Sequence, residues 1–384
     1  MRAVFATFRM EIPLESRNEP WADNYRNVQF DLYRRISSRP DYSTENEVSG
    51  FAVDPKRPFP YYTESSVTVG DQLMAVGYII KTMALPAGSS ILEFGPGWGN
   101  TTIALAQMGY EITALDINPN FVQLIRDRAQ LFGLSTGARV GAFSDAGTME
   151  GTFDAVLFYE CFHHCSDHQQ LLADLHRVVK PGGHVFLAAE PIFEGFHAPW
   201  GLRLDGESLW AIRQNGWLEL GFTESYFIET CVREGWAVSK HLSPASHLTV
   251  IYRLNRLGGT IAPGSTLMPF SDESGWAAPD SPDATQRYTS AHSRLVCPIG
   301  QTWTTATVNL VNPGPLDLPY KIKHGEHTVV GRMSRQSHLS VEIEYSPTAG
   351  ELAIETQTWS PSRYISGSRD ERLIGLGVLD ISFR

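Results

Sequence analysis

The sequence predicts an α/β protein with a doubly wound, seven-stranded sheet, followed by an antiparallel β domain. A short apolar run at residues 90–94 breaks into a glycine-rich turn and then an amphipathic segment. Apolar runs and amphipathic segments go on alternating to about residue 255, which is typical of strands joined by crossover helices. After Arg256 the helical pattern stops, and short β-type runs alternate with turns. The chain is therefore expected to fold as two architectures in series.

Seven apolar runs are the predicted strands of the sheet, and the helices between them follow from 3.6-residue periodicity. Asn118 and Pro119 mark one helix start, because Asn caps a helix and Pro suits its first turn. The predicted strands are residues 90–94, 111–116, 138–143, 153–159, 184–189, 236–241 and 248–254. The predicted helices are residues 21–36, 69–83, 101–108, 119–132, 167–179 and 224–234.

The remaining segments complete the predicted domain organisation. Residues 1–64 form an N-terminal helical arm or lid, residues 65–257 the α/β domain, residues 258–288 a turn-rich linker, and residues 289–384 an antiparallel β-sandwich without a helix. The β-type runs behind the last assignment are residues 304–310, 327–330, 339–344, 352–355 and 376–381. The arm and the sandwich each leave self-association into a homo-oligomer open.

Composition narrows the function classes. A formal charge of −11 argues against a broad phosphate-binding surface, so nucleic acid is not an expected partner. Neither a signal peptide nor a transmembrane stretch is expected. The four cysteines show no paired framework and are expected to be reduced thiols, which predicts a cytoplasmic protein.

The turn after the first strand carries the strongest ligand signal. Gly95, Gly97 and Gly99 alternate with other residues, and glycine lets the backbone approach a ligand where a Cβ would block it. Glu93 before the turn would repel a diphosphate and suits a cationic or zwitterionic ligand. Asp116, at the end of the second strand, is placed to accept hydrogen bonds from ribose hydroxyls.

The run Leu92-Glu93-Phe94-Gly95-Pro96-Gly97-Trp98-Gly99 resembles motif I of the class I S-adenosylmethionine (SAM) methyltransferases. The Lys-Pro-Gly-Gly turn at residues 180–183 is similar to the turn before the fifth strand of that family. The resemblance covers about residues 65–255 and implies a Rossmann-like sheet and SAM as cofactor. It also implies that residues 95–99 pass around the methionine part of the cofactor and that Asp116 binds its ribose.

Further cofactor contacts are expected around this turn. Tyr62, with Tyr61, either contacts the cofactor or pins the arm to the core. Ile117 and Tyr159 flank the same strand ends. The resemblance places an acid at the end of the third strand, and Asp145 is the candidate here, with Phe143 packing on the adenine ring.

The end of the fourth strand is rich in titratable groups: Glu160, His163 and His164. Three interpretations stay open. The residues cap the strand and fill the cleft wall, or one histidine is the general base for an acceptor hydroxyl. In the third, Glu-x-x-His-His resembles the Glu-x-x-Glu-His run of small-RNA 3′-end methyltransferases, which implies a divalent metal bound by these three side chains.

Other features bear on the acceptor. Glu190 and His197 follow the fifth strand, and the insert at residues 191–222 contains Trp200, Trp210 and Trp217, whose faces suit sugar stacking or a core. Residues 370–378 are similar to the Asp-x-Arg-x-Leu-Gly-Val close of small β domains in bacterial polysaccharide-assembly enzymes. That resemblance implies O-methylation of a sugar hydroxyl. The alternatives are a small-metabolite or lipid acceptor with an oligomerising β domain, and a non-catalytic carbohydrate-binding scaffold.

Overall fold

A computed structural model of the chain describes residues 19–48, 50, 52–262, 270, 274–281 and 284–384. The chain divides into two compact units. The first unit runs up to Phe227 and includes Lys240–Leu254, and the second comprises Ile228–Ser239 and Asn255–Arg384. The second unit therefore contains a helix end and a strand start from the region predicted as α/β domain.

The first unit is organised by a seven-stranded sheet, as predicted. Its strand order is β3-β2-β1-β4-β5-β9-β8, and β1 to β5 pair in parallel along that order. Because the order reverses between β1 and β4, the carboxyl ends of these strands open a crevice where ligands bind in doubly wound sheets. The first nine strands are β1 (Ser90–Phe94), β2 (Glu111–Asp116), β3 (Arg139–Val140), β4 (Phe153–Tyr159), β5 (Val179–Ala188), β6 (Trp200–Leu202), β7 (Leu220–Phe222), β8 (Trp236–Leu242) and β9 (Val250–Arg256), of which β6 and β7 pair separately.

The helices of this unit begin and end close to the predicted positions, except for the helix Gly206–Gln214, which lies in the insert at residues 191–222 and was not predicted. Asn118 caps its helix by accepting a hydrogen bond from the Asn120 amide at 2.9 Å, with Pro119 in the first turn as expected. Ser65 caps another by accepting from the Thr68 amide. The helices are α1 (Asp23–Ser37), α2 (Ser66–Met83), α3 (Asn100–Gln107), α4 (Pro119–Leu131), α5 (His168–Val178), α6 (Gly206–Gln214) and α7 (Glu224–Arg233).

Two predictions in this unit were wrong in detail. The third strand is only Arg139–Val140, and Phe143 lies in a 3₁₀ turn, Phe143–Gly147. The Asp145 carboxylate accepts from the Ala142 amide at 3.3 Å, a local bond that competes with strand pairing. The Lys-Pro-Gly-Gly segment belongs to β5 instead of a turn, since Val179 already pairs with Phe153 across a register break.

The second unit is an antiparallel β-sandwich, as predicted. One sheet has the order β10-β18-β13-β16, with β11 also on β18, and the other is β12-β17-β14-β15. Residues of β13 alternate strictly between buried and half-buried, so one face fills the core. The strands are β10 (Thr260–Ile261), β11 (Arg287–Tyr288), β12 (His292–Val296), β13 (Thr305–Asn312), β14 (Leu318–His324), β15 (His327–Met333), β16 (Ser337–Glu344), β17 (Glu351–Thr356) and β18 (Gly377–Phe383).

Three features of the second unit differ from the sequence prediction. Strands β10 and β11 lie inside the predicted linker, residues 258–288, yet both pair with β18. A one-turn helix, α8 (Pro361–Tyr364), interrupts a region predicted to be free of helix. Strands β12 and β14 were not predicted.

Two expectations concern the whole chain. The four cysteines are unpaired, as predicted. Within the described ranges, no helix has the length and apolar character needed to cross a membrane.

Candidate active site

A cavity of about 180 Å³ lies at the carboxyl ends of β1, β2 and β4. An adjoining cavity of about 190 Å³ shares with it Glu47, Ile117, Ala142, Phe143 and His164. The other residues around the first cavity are Phe94, Gly95, Gly97, Leu115, Asp116, Asn118, Phe121, Gly141, Glu160, Cys161 and Trp217. The cavity thus lies at the switch point where the fold predicts a ligand.

Two glycines of the motif serve different purposes. Gly95 has φ +58°, and a Cβ there would meet the Cys161 Cβ at 2.7 Å, so this glycine permits close packing of the two strand ends. Gly97 has φ +50°, and a Cβ there would have no atom within 4 Å. Gly97 therefore keeps open the space beside the cavity, which is the role predicted for a cofactor loop.

Asp116 provides a carboxylate beside the glycine turn, on the same side of the cavity. It is 6% exposed, and its two oxygens accept from the Gly97 amide at 3.0 Å and the Asn118 amide at 2.8 Å. Burial raises its pKa to about 6, although both amides oppose the shift. Each oxygen keeps a second lone pair, so the carboxylate can still accept bonds from vicinal ribose hydroxyls. A fixed carboxylate beside an open glycine turn fits the expected cofactor.

Two other motif residues do not line the cavity. Glu93 is buried, accepts from the Thr102 hydroxyl at 2.5 Å, and has its pKa raised to about 7 by burial. The Glu93 side chain therefore ties β1 to α3, where a direct cofactor contact was predicted. Gly99 caps α3 with φ +71° and packs so closely on Ile125 that a Cβ would lie 2.5 Å from its side chain.

The other predicted cofactor residues divide into two groups. Ile117 and Phe143 line the cavity. Asp145, Tyr159 and Tyr62 are not among the residues around it. Asp145 bonds to its own turn, as described above. The Tyr159 hydroxyl donates to Gln72 at 2.8 Å, and Tyr62, 50% exposed, packs on Phe59 and Trp98 beside a separate open pocket.

The other side of the site is formed by titratable side chains, which we call the histidine wall: Glu47, Glu160, His163, His164 and Glu219. Of these, Glu47, Glu160 and His164 line the cavity. His163 and Glu219 lie behind them, buried. The sequence predicted His163, His164 and Glu160, and it missed Glu47 and Glu219.

Glu160 begins this wall in a strained conformation. Its φ is +51°, a region that costs a non-glycine residue about 1 kcal/mol or more and is often retained at functional sites. Its carboxylate accepts from the Gln72 side chain at 3.1 Å. Burial raises its pKa, and the nearby Glu190 charge adds to that rise.

Glu190, a candidate from the sequence, organises the histidines from behind. One carboxylate oxygen accepts from the Cys161 and Phe162 amides at 2.9 and 2.8 Å. The other accepts from the amide of His163 at 3.2 Å and from its Nδ1 at 2.8 Å. A single side chain therefore fixes both the backbone after β4 and the orientation of one imidazole.

The rings of the two histidines are tilted by 39° with centroids 4.2 Å apart, and their pKa values are shifted in opposite directions. Burial lowers the pKa of His163, but the hydrogen bond and charge of Glu190, together with Glu219, outweigh it and leave that pKa raised. The pKa of His164 is well below its usual value because of burial and the charge on His163. His164 Nδ1 lies 2.7 Å from the Leu218 carbonyl, so it carries the proton and donates it there.

Glu47 and Glu219 reach the wall from elements distant in sequence. Glu47 lies in the predicted arm, accepts from the Leu218 amide at 2.8 Å, and has its pKa raised to about 8 by burial. Glu219 precedes β7 and lies 3.6 Å from Arg203. No motif signals either residue, because each is brought to the wall by tertiary folding alone.

The three tryptophans and His197 of the insert at residues 191–222 do not lie together. Trp217 lines the cavity, as an acceptor pocket would require. Trp200 is buried and donates to the Pro20 carbonyl, so it is a core residue. Trp210 and His197 are exposed.

Comparison with known proteins supports the sequence resemblance. Residues 92–187 match the family model described as a methyltransferase domain. A demethylmenaquinone methyltransferase of Tropheryma whipplei is 32% identical over 120 residues, covering 31% of this chain and 49% of that protein. A ubiquinone biosynthesis O-methyltransferase of Xanthomonas axonopodis pv. citri is 33% identical over 104 residues, covering 27% and 44%. The chain thus spans about half the length of the curated relatives it matches.

Among solved structures, the YcgJ protein of Bacillus subtilis is similar with a TM-score of 0.39 at 15% identity, covering 48% of this chain and all of that one. The domain match at residues 92–187 contains most of the residues around the cavity, whereas Glu47 and Trp217 lie outside it. Residues 92–187 are therefore similar to a methyltransferase domain, in agreement with the resemblance in the glycine-rich turn and with the S-adenosylmethionine cofactor that this resemblance implies.

Proposed function

We propose that the protein is a SAM-dependent O-methyltransferase, with a sugar hydroxyl as its acceptor. The observation that carries the choice of oxygen is the placement of His164. Its ring lies on the cavity wall, and its Nδ1–H is committed to the Leu218 carbonyl at 2.7 Å. Nε2 is then left with a free lone pair, which is what a hydroxyl needs from a proton acceptor.

The reaction follows from these positions. The cofactor supplies a methyl group on a sulfonium sulfur. The acceptor oxygen forms a bond to the methyl carbon while the carbon–sulfur bond breaks and its electron pair stays on sulfur. The hydroxyl proton passes to His164 Nε2. The glycine turn and Asp116 would hold the cofactor, and His163, fixed by Glu190 at 2.8 Å, supports the His164 ring.

Two observations support a sugar acceptor. Residues 370–378 are similar to a segment of β domains in bacterial polysaccharide-assembly enzymes, and Trp217 lines the cavity. A second acceptor class has its own support. The relatives are named for quinone substrates, and Phe94, Phe121 and Phe143 give the cavity an aromatic lining suited to a phenolic ring. We place the sugar first and test both.

The test is a turnover assay of His164→Ala with sugar and phenol acceptors. The variant should lose roughly 10²–10⁴ in turnover while its affinity for SAM, measured by calorimetry, stays near that of the wild type. His197→Ala changes an exposed histidine of the same unit and should leave turnover unaffected. Unchanged turnover in His164→Ala would reject the proton acceptor, and a wild-type protein without SAM affinity would favour the scaffold alternative.

A further inference from the structure

We propose that His163, His164 and Glu219 form a binding site for a first-row divalent transition-metal ion of the Zn²⁺ type. One potential ligand atom from each residue lies within 4.8 Å of the other two. The group differs from the one expected from sequence, because Glu219 and not Glu160 completes it. The inference does not rest on the proposed function, since an ion binds here without cofactor or acceptor.

The measured separation suits a shared ion. Nε2 of His163 lies 3.7 Å from a carboxylate oxygen of Glu219. A zinc ion sits about 2.0–2.2 Å from nitrogen and oxygen ligands, so two atoms this far apart reach one ion without a change in the backbone. Both side chains are about nine-tenths buried, which limits competition from water.

Both imidazoles are held in the tautomer that a metal needs. The Nδ1 of His163 donates to Glu190, and the Nδ1 of His164 donates to the Leu218 carbonyl. Nε2 of His164 is thereby left unprotonated, and His163, whose pKa is raised, binds an ion through Nε2 in its neutral form. Metal-binding histidines commonly donate their second ring nitrogen to a carboxylate or carbonyl in this way, which fixes the ring and strengthens the ligand.

The donor set and the surroundings define the ion. Two imidazole nitrogens and one carboxylate suit zinc and its neighbours in the first transition row, whereas Mg²⁺ and Ca²⁺ prefer oxygen ligands. The buried carboxylate of Glu190 and the Glu47 carboxylate, 3.7 Å from His164 Nδ1, add negative charge around the two rings when ionised. Arg203 lies 3.6 Å from Glu219. His164 lines the cavity, so a fourth coordination position faces the space where a ligand enters.

The metal group and the proposed proton acceptor share the His164 imidazole. Metal binding is measured without cofactor or acceptor, so it is tested separately from methyl transfer.

The experiment is a titration of the full-length, chelator-treated protein with Co²⁺, followed by visible d–d absorption, and with Zn²⁺, followed by calorimetry. We expect one ion per chain. Glu219→Gln and His164→Asn should each weaken binding about 10²-fold or more, and Glu190→Gln about 10- to 100-fold through the loss of its support of His163. The matched controls Glu207→Gln and His338→Asn change exposed residues and should bind like the wild type.

Far-UV circular dichroism of each variant without metal separates a lost site from a lost fold. The proposal is overturned if the wild type gives no Co²⁺ absorption, or if folded Glu219→Gln and His164→Asn bind as the wild type does. A protein that binds Co²⁺ as expected but methylates none of the tested acceptors would retain the metal site and lose the proposed function.

Discussion

The two sides of the cavity are built in different ways. The cofactor side uses one βαβ unit, with a main-chain turn at Gly95 and Gly97 and a carboxylate held by two backbone amides. The histidine wall uses side chains from distant segments, held by Glu190 and by the Leu218 peptide. Backbone conformation therefore fixes the first side, and side-chain pairing fixes the second. A single substitution should disturb the wall over a wider region than the turn.

The largest expected effect comes from removing the residue that holds the wall. Glu190→Ala leaves the Cys161, Phe162 and His163 amides without their acceptor, and we expect a loss of about 3–5 kcal/mol in the free energy of unfolding. Urea unfolding measures it. Glu194→Ala, an exposed neighbour, is the control and should change little. A loss below about 1 kcal/mol would mean that the wall does not depend on this carboxylate.

On the cofactor side the corresponding change should affect binding more than folding. Asp116→Ala removes the carboxylate expected to accept from the ribose hydroxyls, so we expect SAM affinity to fall roughly 10²–10³-fold. Calorimetry gives the affinity, with Asp127→Ala in α4 as control. An affinity within about threefold of wild type would contradict the assigned role.

The pH dependence of stability sharpens the comparison. The pKa of Glu93 is raised from 4.5 to about 7 by burial, with the Asp116 charge adding and the Thr102 bond opposing. The contribution of this group to stability is present below about pH 4.5 and is lost as pH rises toward 7, a difference of roughly 3 kcal/mol. Glu93→Gln removes this pH-dependent loss.

Urea unfolding of the wild type and of Glu93→Gln, at about pH 5 and pH 8, tests this pH dependence. The variant should gain stability relative to wild type at the higher pH, while Glu111→Gln at the exposed start of β2 should follow the wild-type profile. Parallel pH profiles for wild type and Glu93→Gln would show that the pKa of Glu93 is not raised on folding.

The smallest effect is expected at Tyr62. Its side chain is half exposed and is not among the residues around the cavity, so Tyr62→Ala should change SAM affinity by less than about 0.5 kcal/mol. Fluorescence or calorimetric titration with SAM would detect a larger change in affinity. A tenfold loss would restore the direct cofactor contact predicted from sequence.

The contrast between the two sides of the cavity also explains which parts of the fold and the site could be predicted from the sequence. Strands β1, β2 and β4 were predicted with their observed bounds because each is an apolar run with turn residues at both ends. Gly97 and Asp116 follow from spacing within one unit. Glu47 and Glu219 carry no local pattern, and they become part of the wall only when distant segments fold together.

The predicted strand bounds were wrong where a local hydrogen bond or a register break interrupted the regular pairing of strands. β3 ends early because the Asp145 side chain bonds to the Ala142 amide, and β5 begins early because Val179 pairs with Phe153 across the glycines. Glu93 was assigned to the cofactor, although its carboxylate bonds to Thr102 inside the protein. Hydrophobic periodicity contains no information on such side-chain bonds.

The Leu218 peptide forms hydrogen bonds with two residues of the histidine wall that lie far apart along the chain. Its amide holds Glu47 of the N-terminal segment, and its carbonyl sets the tautomer of His164. Limited proteolysis near Glu47 would release the first contact and free this peptide to rotate. Under the proposed function, such clipped protein should keep its affinity for the methyl donor while methyl transfer slows.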